Sequence, residues 1–256
     1  MPIFRYLKRK WLLYRAFPES WQRILDSSVP YYSQLPDDLK QTLRNHLVIF
    51  MDEKLFEGCN GLEMTEEKKV IISAYACILL LGEPAGYYPD LQSILVYPDD
   101  YLAPVREEGE GGIVSEGTQA RKGESWDLGS IVLSWDDIRE NIENQSSGQN
   151  LIFHEFAHQL DEYYGLTAGI GEYGEIYRDD EWTHILAAAY RTLQRKSRRR
   201  TQCVLDPYGA TDPAELFSVA TEAFFLKPRK LSGEFPKLYD VLKSFYNLNP
   251  SLFVSL

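Results

Sequence analysis

Residues Leu151–Tyr164 read LIFHEFAHQLDEYY and contain the pattern H-E-x-x-H at positions 154–158. Side chains four residues apart lie on one face of an α-helix, so His154 and His158 can bind the same metal ion. Glu155 projects beside that site, where it can accept a proton from a water molecule that the metal has made more acidic. The pattern therefore predicts metal-assisted hydrolysis that needs no serine or cysteine nucleophile.

The surroundings of this pattern favour a buried helix. Gly165 is a suitable C-cap, and Asn150 stands where an N-cap belongs. The competing interpretation is a surface helix with two solvated histidines. It is disfavoured because apolar residues recur at helical spacing, and because two of the four histidines of the chain fall here. The apolar stripe consists of Leu151, Ile152, Phe156, Ala157 and Leu160.

Composition limits the class of protein. A chain of 256 residues with 44% hydrophobic and 25% charged residues is typical of a soluble globular protein. The net charge of −11 argues against direct nucleic-acid binding. Three widely spaced cysteines form no disulfide framework, which favours a reducing, cytoplasmic location. No apolar run is long enough to span a bilayer, so no transmembrane segment is expected.

Periodicity predicts a mostly helical α+β protein. Residues 70–81 form the most apolar helical pattern and are expected to be the core element against which the H-E-x-x-H helix packs. Residues 93–97 and 130–134 are predicted strands, and residues 106–124 a surface loop or flexible hairpin. Residues 1–17 mix cations with aromatic side chains. They predict a packed amphipathic helix, with a membrane-surface or partner-docking role as the alternative.

A catalytic zinc site needs three protein ligands, and the pattern supplies two. The third donor is expected from residues 206–225, DPYGATDPAELFSVATEAFF, where Glu215 and Glu222 lie two helical turns apart on one face. Spacing alone does not choose between them, and both could be surface carboxylates. His184 is a weaker candidate ligand, and Asp161 is expected to support a ligand from behind.

Several stretches together resemble the Mlc titration factor A family of gluzincin-type zinc peptidases. They are EEKKVIISAYACILLL (66–81), GESWDLGSIVLSWDDI (123–138), LIFHEFAHQLD (151–161) and the 206–225 segment. The resemblance implies Zn²⁺ held by His154, His158 and Glu215, with Glu155 as the general base. The chain is also similar to the catalytic domain of anthrax lethal factor, which implies that Tyr208 stabilises the oxyanion.

The expected architecture is a zincin-like fold in which a small β-sheet flanks the H-E-x-x-H helix. Residues 1–60 are predicted to form an N-terminal helical region packed on a catalytic domain at 61–256. Ser130–Ser134 is the predicted substrate-binding strand. The resemblance implies an aminopeptidase-like enzyme acting on peptides or proteins. The alternative is a regulatory protein that sequesters a transcriptional repressor of sugar uptake, with proteolysis secondary.

Overall fold

The computed structural model describes residues 2–82, 86–99, 101–109, 113–121, 123–126 and 129–255. The helices in these residues are α1 (Pro2–Leu13), α2 (Glu19–Ser28), α3 (Pro30–Gln34), α4 (Asp37–Glu53), α5 (Glu66–Ile78), α6 (Trp135–Glu143), α7 (Leu151–Tyr164), α8 (Glu181–Arg198), α9 (Pro213–Leu226), α10 (Pro228–Glu234) and α11 (Pro236–Tyr246). The strands are β1 (Leu55–Gly58), β2 (Ser93–Tyr97), β3 (Tyr101–Gly109), β4 (Ile113–Arg121), β5 (Gly123–Trp126) and β6 (Ser130–Ser134). The predicted mostly helical α+β class is confirmed.

The main sheet has the strand order β1-β2-β6-β5. The first three strands run parallel, and β5 runs antiparallel to β6 at the edge, where it also contacts α7. The prediction that β6 binds substrate by backbone pairing is wrong, because β2 and β5 already occupy its two hydrogen-bonding edges. Its SIVLS sequence matches that interior position, since strands buried on both faces are continuously apolar.

A separate two-stranded sheet occupies much of the segment that was predicted to be a loop or a flexible hairpin. β3 and β4 pair antiparallel, from Tyr101 opposite Arg121 to Gly109 opposite Ile113. The loop interpretation is therefore wrong, and the hairpin alternative describes the backbone pairing. Glycine and glutamate are depleted in strands, so the composition of this segment favoured a loop. The strands form because the two segments pair with each other, which composition does not show.

The core is centred on α5, as predicted. Every residue of α5 from Val70 to Ile78 is buried, including Cys77. Aromatic side chains connect it to its neighbours. The ring of Phe153 on α7 lies 5.4 Å from that of Tyr75 on α5 and 5.2 Å from that of Phe225 on α9. Helix α7 is thus held on one side by apolar packing, which leaves its opposite face for chemistry.

The predicted N-terminal region contributes directly to this core. Helices α2 and α4 pack against α5, and β1 pairs with β2 in the main sheet. The division of the chain at residue 60 stays a prediction. Among the described residues, no helix has both the length and the apolar character needed to cross a membrane.

His46 on α4 makes stability depend on pH. It is buried, its Nδ1 lies 2.7 Å from the hydroxyl of Tyr87, and burial lowers its pKa from 6.5 to about 4. As pH falls from 6.5 towards about 4, the unfolded chain takes up a proton here that the folded chain refuses. The free energy of unfolding is therefore expected to fall by up to about 3 kcal/mol across this window.

Urea unfolding between about pH 7.5 and pH 4.5 measures this effect. His46→Gln should flatten the pH dependence, because glutamine takes up no proton in this range. Parallel pH profiles for wild type and His46→Gln would contradict the assignment.

Candidate metal centre

Helix α7 is fixed at both ends. The side chain of Asn150 accepts a hydrogen bond from the backbone N–H of Phe153 at 2.9 Å, and Gly165 ends the helix with a positive φ of 61°. Both caps were predicted. Phe153 and Phe156 are fully buried in the core, while His154 and His158 project from another face of α7 towards Glu215 at the start of α9.

Three metal-ligating atoms converge between α7 and α9. The Nε2 atom of His154 lies 3.2 Å from Nε2 of His158 and 2.9 Å from Oε2 of Glu215. The third side of the triangle, from Nε2 of His158 to Oε2 of Glu215, is 3.6 Å. Ligand atoms about 2.05 Å from a tetrahedral zinc ion lie about 3.3 Å apart, so these three separations fit such an ion.

Glu215 reaches this point because of the start of α9. Asp212 is the N-cap and accepts hydrogen bonds from the N–H groups of Ala214 and Glu215 at 2.8 and 3.0 Å. Pro213 occupies the first helical turn, where its missing N–H has no cost. The cap therefore holds the first-turn carboxylate towards the two histidines.

Glu222 takes the other of the two positions that spacing left open. Its Oε1 lies 2.8 Å from Nδ1 of His154, and its Oε2 accepts the backbone N–H of Asn150 at 2.6 Å. Donation of the Nδ1 proton to Glu222 leaves the Nε2 lone pair of His154 directed at the site. The backbone contact with Asn150 could not have been inferred from the sequence, because it joins positions 72 residues apart.

The electrostatics favour a cation at this point. Burial lowers the pKa of His154, but hydrogen bonds to Glu215 and Glu222 outweigh it, so the pKa stands well above its ordinary value. Burial raises the pKa of Glu215, yet its contacts with His154 and His158 outweigh burial and lower the pKa to about 2. Two carboxylates thus stabilise positive charge between α7 and α9, which is the charge that a divalent metal supplies.

Glu155 lies beside the convergence point and is almost completely buried, with 5% of its surface exposed. Burial raises its pKa, while His154 and His158 act in the opposite direction. A carboxylate whose pKa rises towards neutrality is better suited to accept and return a proton. Glu155 lies beside the histidines because it directly follows His154 on the helix.

Tyr208 borders the site from a short 3-10 helix, Pro207–Ala210, which Asp206 caps. Its ring centre lies 6.1 Å from that of His154, and the residue is 55% exposed. Burial and the charge of Glu215 raise its pKa to about 12. The phenol is therefore a protonated hydrogen-bond donor at neutral pH.

Two expectations about supporting residues are wrong. Asp161 accepts hydrogen bonds from the N–H and hydroxyl of Thr167, at 2.8 and 2.5 Å, so it anchors the loop after α7 rather than a histidine ligand. His184 pairs with Asp179 at 2.7 Å and lies outside the ligand group. A carboxylate near the end of a helix can bind the following loop instead of a histidine, and helical spacing does not show which of the two it binds.

An H-E-x-x-H pair on a helix, completed by a carboxylate from another helix, is the metal-binding pattern of one class of metallopeptidases. Comparison with known proteins gives the family. Residues 4–247 match the family described as Glucose-regulated metallo-peptidase M90, and the chain belongs to this family. A metallopeptidase family implies a bound metal, and the donor atoms described above fit one.

Relatives cover most of the chain. A Synechocystis sp. protein named "Uncharacterized protein slr2042" is 39% identical over 244 residues, which are 95% of this chain and 89% of the relative. Mlc titration factor A of Cronobacter sakazakii is 30% identical over 237 residues, 92% of this chain and 88% of the relative. The same-named protein of Escherichia fergusonii is 33% identical over 205 residues, 79% and 77% of the two chains. These matches confirm the resemblance to the Mlc titration factor A family.

Proposed function

We propose that the chain is a zinc-dependent, gluzincin-type peptidase with aminopeptidase-like activity on peptides or proteins. His154, His158 and Glu215 hold Zn²⁺, and Glu155 is the general base. The observation that carries this proposal is the convergence of two Nε2 atoms and one carboxylate oxygen beside a buried glutamate. Zinc follows from the nitrogen-rich donor set, which suits this ion better than magnesium or calcium.

Bound zinc would polarise the scissile carbonyl and lower the pKa of the attacking water. Glu155 takes the proton as the water oxygen bonds to the carbonyl carbon, then delivers it to the nitrogen as the C–N bond breaks. Tyr208 donates a hydrogen bond to the carbonyl oxygen as negative charge develops there, a role that its raised pKa and its position beside His154 support. Glu222 keeps His154 in the tautomer that binds metal.

Strand β5 replaces β6 as the proposed substrate-binding strand. It is the terminal strand of the main sheet and lies against α7, which carries the histidines. Within the described residues its second edge has no strand partner. An extended peptide could pair with that edge by backbone hydrogen bonds, which give affinity for many sequences.

The decisive experiment compares wild-type protein with the His154→Ala/His158→Ala variant. Bound zinc is measured by atomic emission, and turnover with a chromogenic amino-acid amide. We expect about one zinc per wild-type chain, with metal and turnover both lost in the variant. Turnover that persists in the metal-free variant would refute the peptidase mechanism.

Tyr208→Phe tests the hydrogen bond to the oxyanion. Removing the hydroxyl should lower kcat by roughly 10²–10³-fold and leave KM and zinc content nearly unchanged, because the bond strengthens only as charge develops. Tyr177→Phe, at a side chain that is 74% exposed, is the matched control. An unchanged kcat in Tyr208→Phe would show that the tyrosine only packs beside Glu215.

A second candidate function is regulatory binding. Relatives carry the name Mlc titration factor A, which favours a chain that titrates a partner. The sequence resemblance implies that this partner is a transcriptional repressor of sugar uptake. Such binding needs no metal chemistry. Repressor binding that survives in His154→Ala/His158→Ala would separate the two functions, and binding lost with the metal would tie them to one site.

We also propose a cytoplasmic location without direct nucleic-acid binding. Cys59, Cys77 and Cys203 are all free thiols, which fits a reducing compartment. The net charge of −11 opposes general attraction to phosphate backbones.

A further inference from the structure

Helix α1 exposes an apolar stripe. Phe4, Leu7, Trp11 and Tyr14 follow one another at intervals of three, four and three residues, which places them on one helical face. Tyr14 lies in the turn that continues the helix, with its N–H bonded to the carbonyl of Trp11. These side chains are 75%, 56%, 59% and 88% exposed. This set is called the outer face of α1.

The side of α1 that meets α4 carries the buried Leu12 and three cations, of which Arg5 and Lys8 are half-exposed. Arg5 and Arg9 both pair with the carboxylate of Glu53 at the end of α4, at 2.6 and 2.7 Å, and Lys8 pairs with Asp52 at 2.6 Å. A surface helix ordinarily buries its apolar face and exposes its charges. Here ion pairs dock the helix, so its apolar face remains turned outward.

Unpaired cations border the outer face. Lys10 lies over the ring of Tyr6 at 4.8 Å, and the guanidinium of Arg15 over the ring of Trp11 at 5.1 Å. In the part of the chain that the structure describes, neither cation has an ion-pair partner. The first 18 residues carry five cations and no acidic residue in a chain of net charge −11. The occupant of this face is therefore expected to be anionic.

Charge and area discriminate between possible occupants. A second copy of the chain on this face would place the cations of one α1 near those of the other, which is unfavourable. One face of a 12-residue helix is about 18 Å long and about 10 Å wide, or roughly 200 Å² in projection. A stable protein interface buries roughly 800 Å² per partner, whereas a helix adsorbed on a bilayer has no such threshold.

We propose that the outer face of α1 binds the surface of an anionic lipid bilayer. Tryptophan, tyrosine, phenylalanine and leucine enter the boundary between headgroups and acyl chains, and Lys10 and Arg15 contact lipid phosphates. The helix lies on the bilayer and does not cross it. The ion pairs to Glu53 and Asp52 keep the rest of the protein attached to the adsorbed helix.

Co-sedimentation with vesicles tests this proposal on the full chain. Vesicles of phosphatidylcholine with about one-third phosphatidylglycerol should bind the wild type, and pure phosphatidylcholine vesicles should bind it weakly. Raising the salt concentration should reduce binding to the anionic vesicles. Leu7→Ser/Trp11→Ser/Tyr14→Ser should reduce the vesicle partition constant by at least about tenfold. Lys10→Glu/Arg15→Glu should abolish the preference for anionic vesicles.

The matched control is Tyr173→Ser/Tyr177→Ser/Leu252→Ser, which removes three exposed apolar side chains outside α1 and should bind like the wild type. Circular dichroism and zinc content should be the same in all variants, so the result does not depend on the peptidase proposal. Absence of wild-type binding to anionic vesicles, or an equal loss in the control, would overturn the proposal. So would sedimentation showing a dimer that the α1 triple variant abolishes, since the face would then belong to a second copy.

Discussion

Glu155→Gln is expected to bind zinc as the wild type does and to lose hydrolysis by roughly 10²–10⁴-fold, the usual contribution of a general base. The amide has nearly the size and shape of the carboxylate, so the packing around this buried side chain is kept. It cannot accept the proton of the attacking water. The loss should therefore appear in kcat, measured with the chromogenic amide, while the zinc content stays at about one per chain.

The control for this substitution is Glu162→Gln, an exposed glutamate on the same helix. It makes the same chemical change outside the ligand group and should leave kcat close to that of the wild type. If Glu155→Gln keeps full activity with full metal occupancy, the general-base assignment is wrong and another group accepts the proton.

Glu215→Ala and Glu222→Gln are expected to weaken metal binding to different extents. Glu215→Ala removes a ligand oxygen and should reduce zinc to background after dialysis against a weak chelator. Glu222→Gln should lower zinc affinity by about 10–100-fold, as is usual for residues that orient a ligand. Both oxygens of Glu222 accept hydrogen bonds, from Asn150 N–H and from Nδ1 of His154, and a glutamine can satisfy only one of them.

Zinc titration against a chromophoric chelator measures both affinities, and circular dichroism checks that the variants fold. The order of the two effects is the critical result. A larger loss in Glu222→Gln than in Glu215→Ala would move the third ligand two turns along α9. Equal, small losses would mean that the ligand comes from another part of the chain.

The sequence allowed the helix that carries H-E-x-x-H to be predicted well because its signals are local. The spacing of His154 and His158, the N-cap at Asn150 and the C-cap at Gly165 all lie within 16 residues, and the structure places the helix between those caps. The burial of α5 was likewise predictable, because the residues from Val70 to Ile78 are apolar around the helix apart from Ser73, and such a helix is stable only in the core.

What spacing left open, and what it predicted wrongly, depends on contacts between distant parts of the chain. Glu215 and Glu222 share one helical face, so only the docking of α9 on α7 decides which carboxylate meets the Nε2 atoms. The assignment of β6 as the substrate strand failed for the same reason, since strand order is absent from any local pattern. The edge strand β5 gave little signal, because GESW lacks the β-branched run that marks a strand.

The carboxylate of Glu222 has a thermodynamic consequence. It joins the backbone N–H of Asn150, the N-cap of α7, to His154, and its own helix carries Glu215. The proposed metal donors therefore assemble only when two segments more than 60 residues apart have docked. A metal that binds only this docked state stabilises it by an amount that grows with the logarithm of free metal concentration. The melting temperature of the chain should thus rise with the concentration of available zinc. Scarcity of the ion would shorten the lifetime of the protein as well as limit its activity.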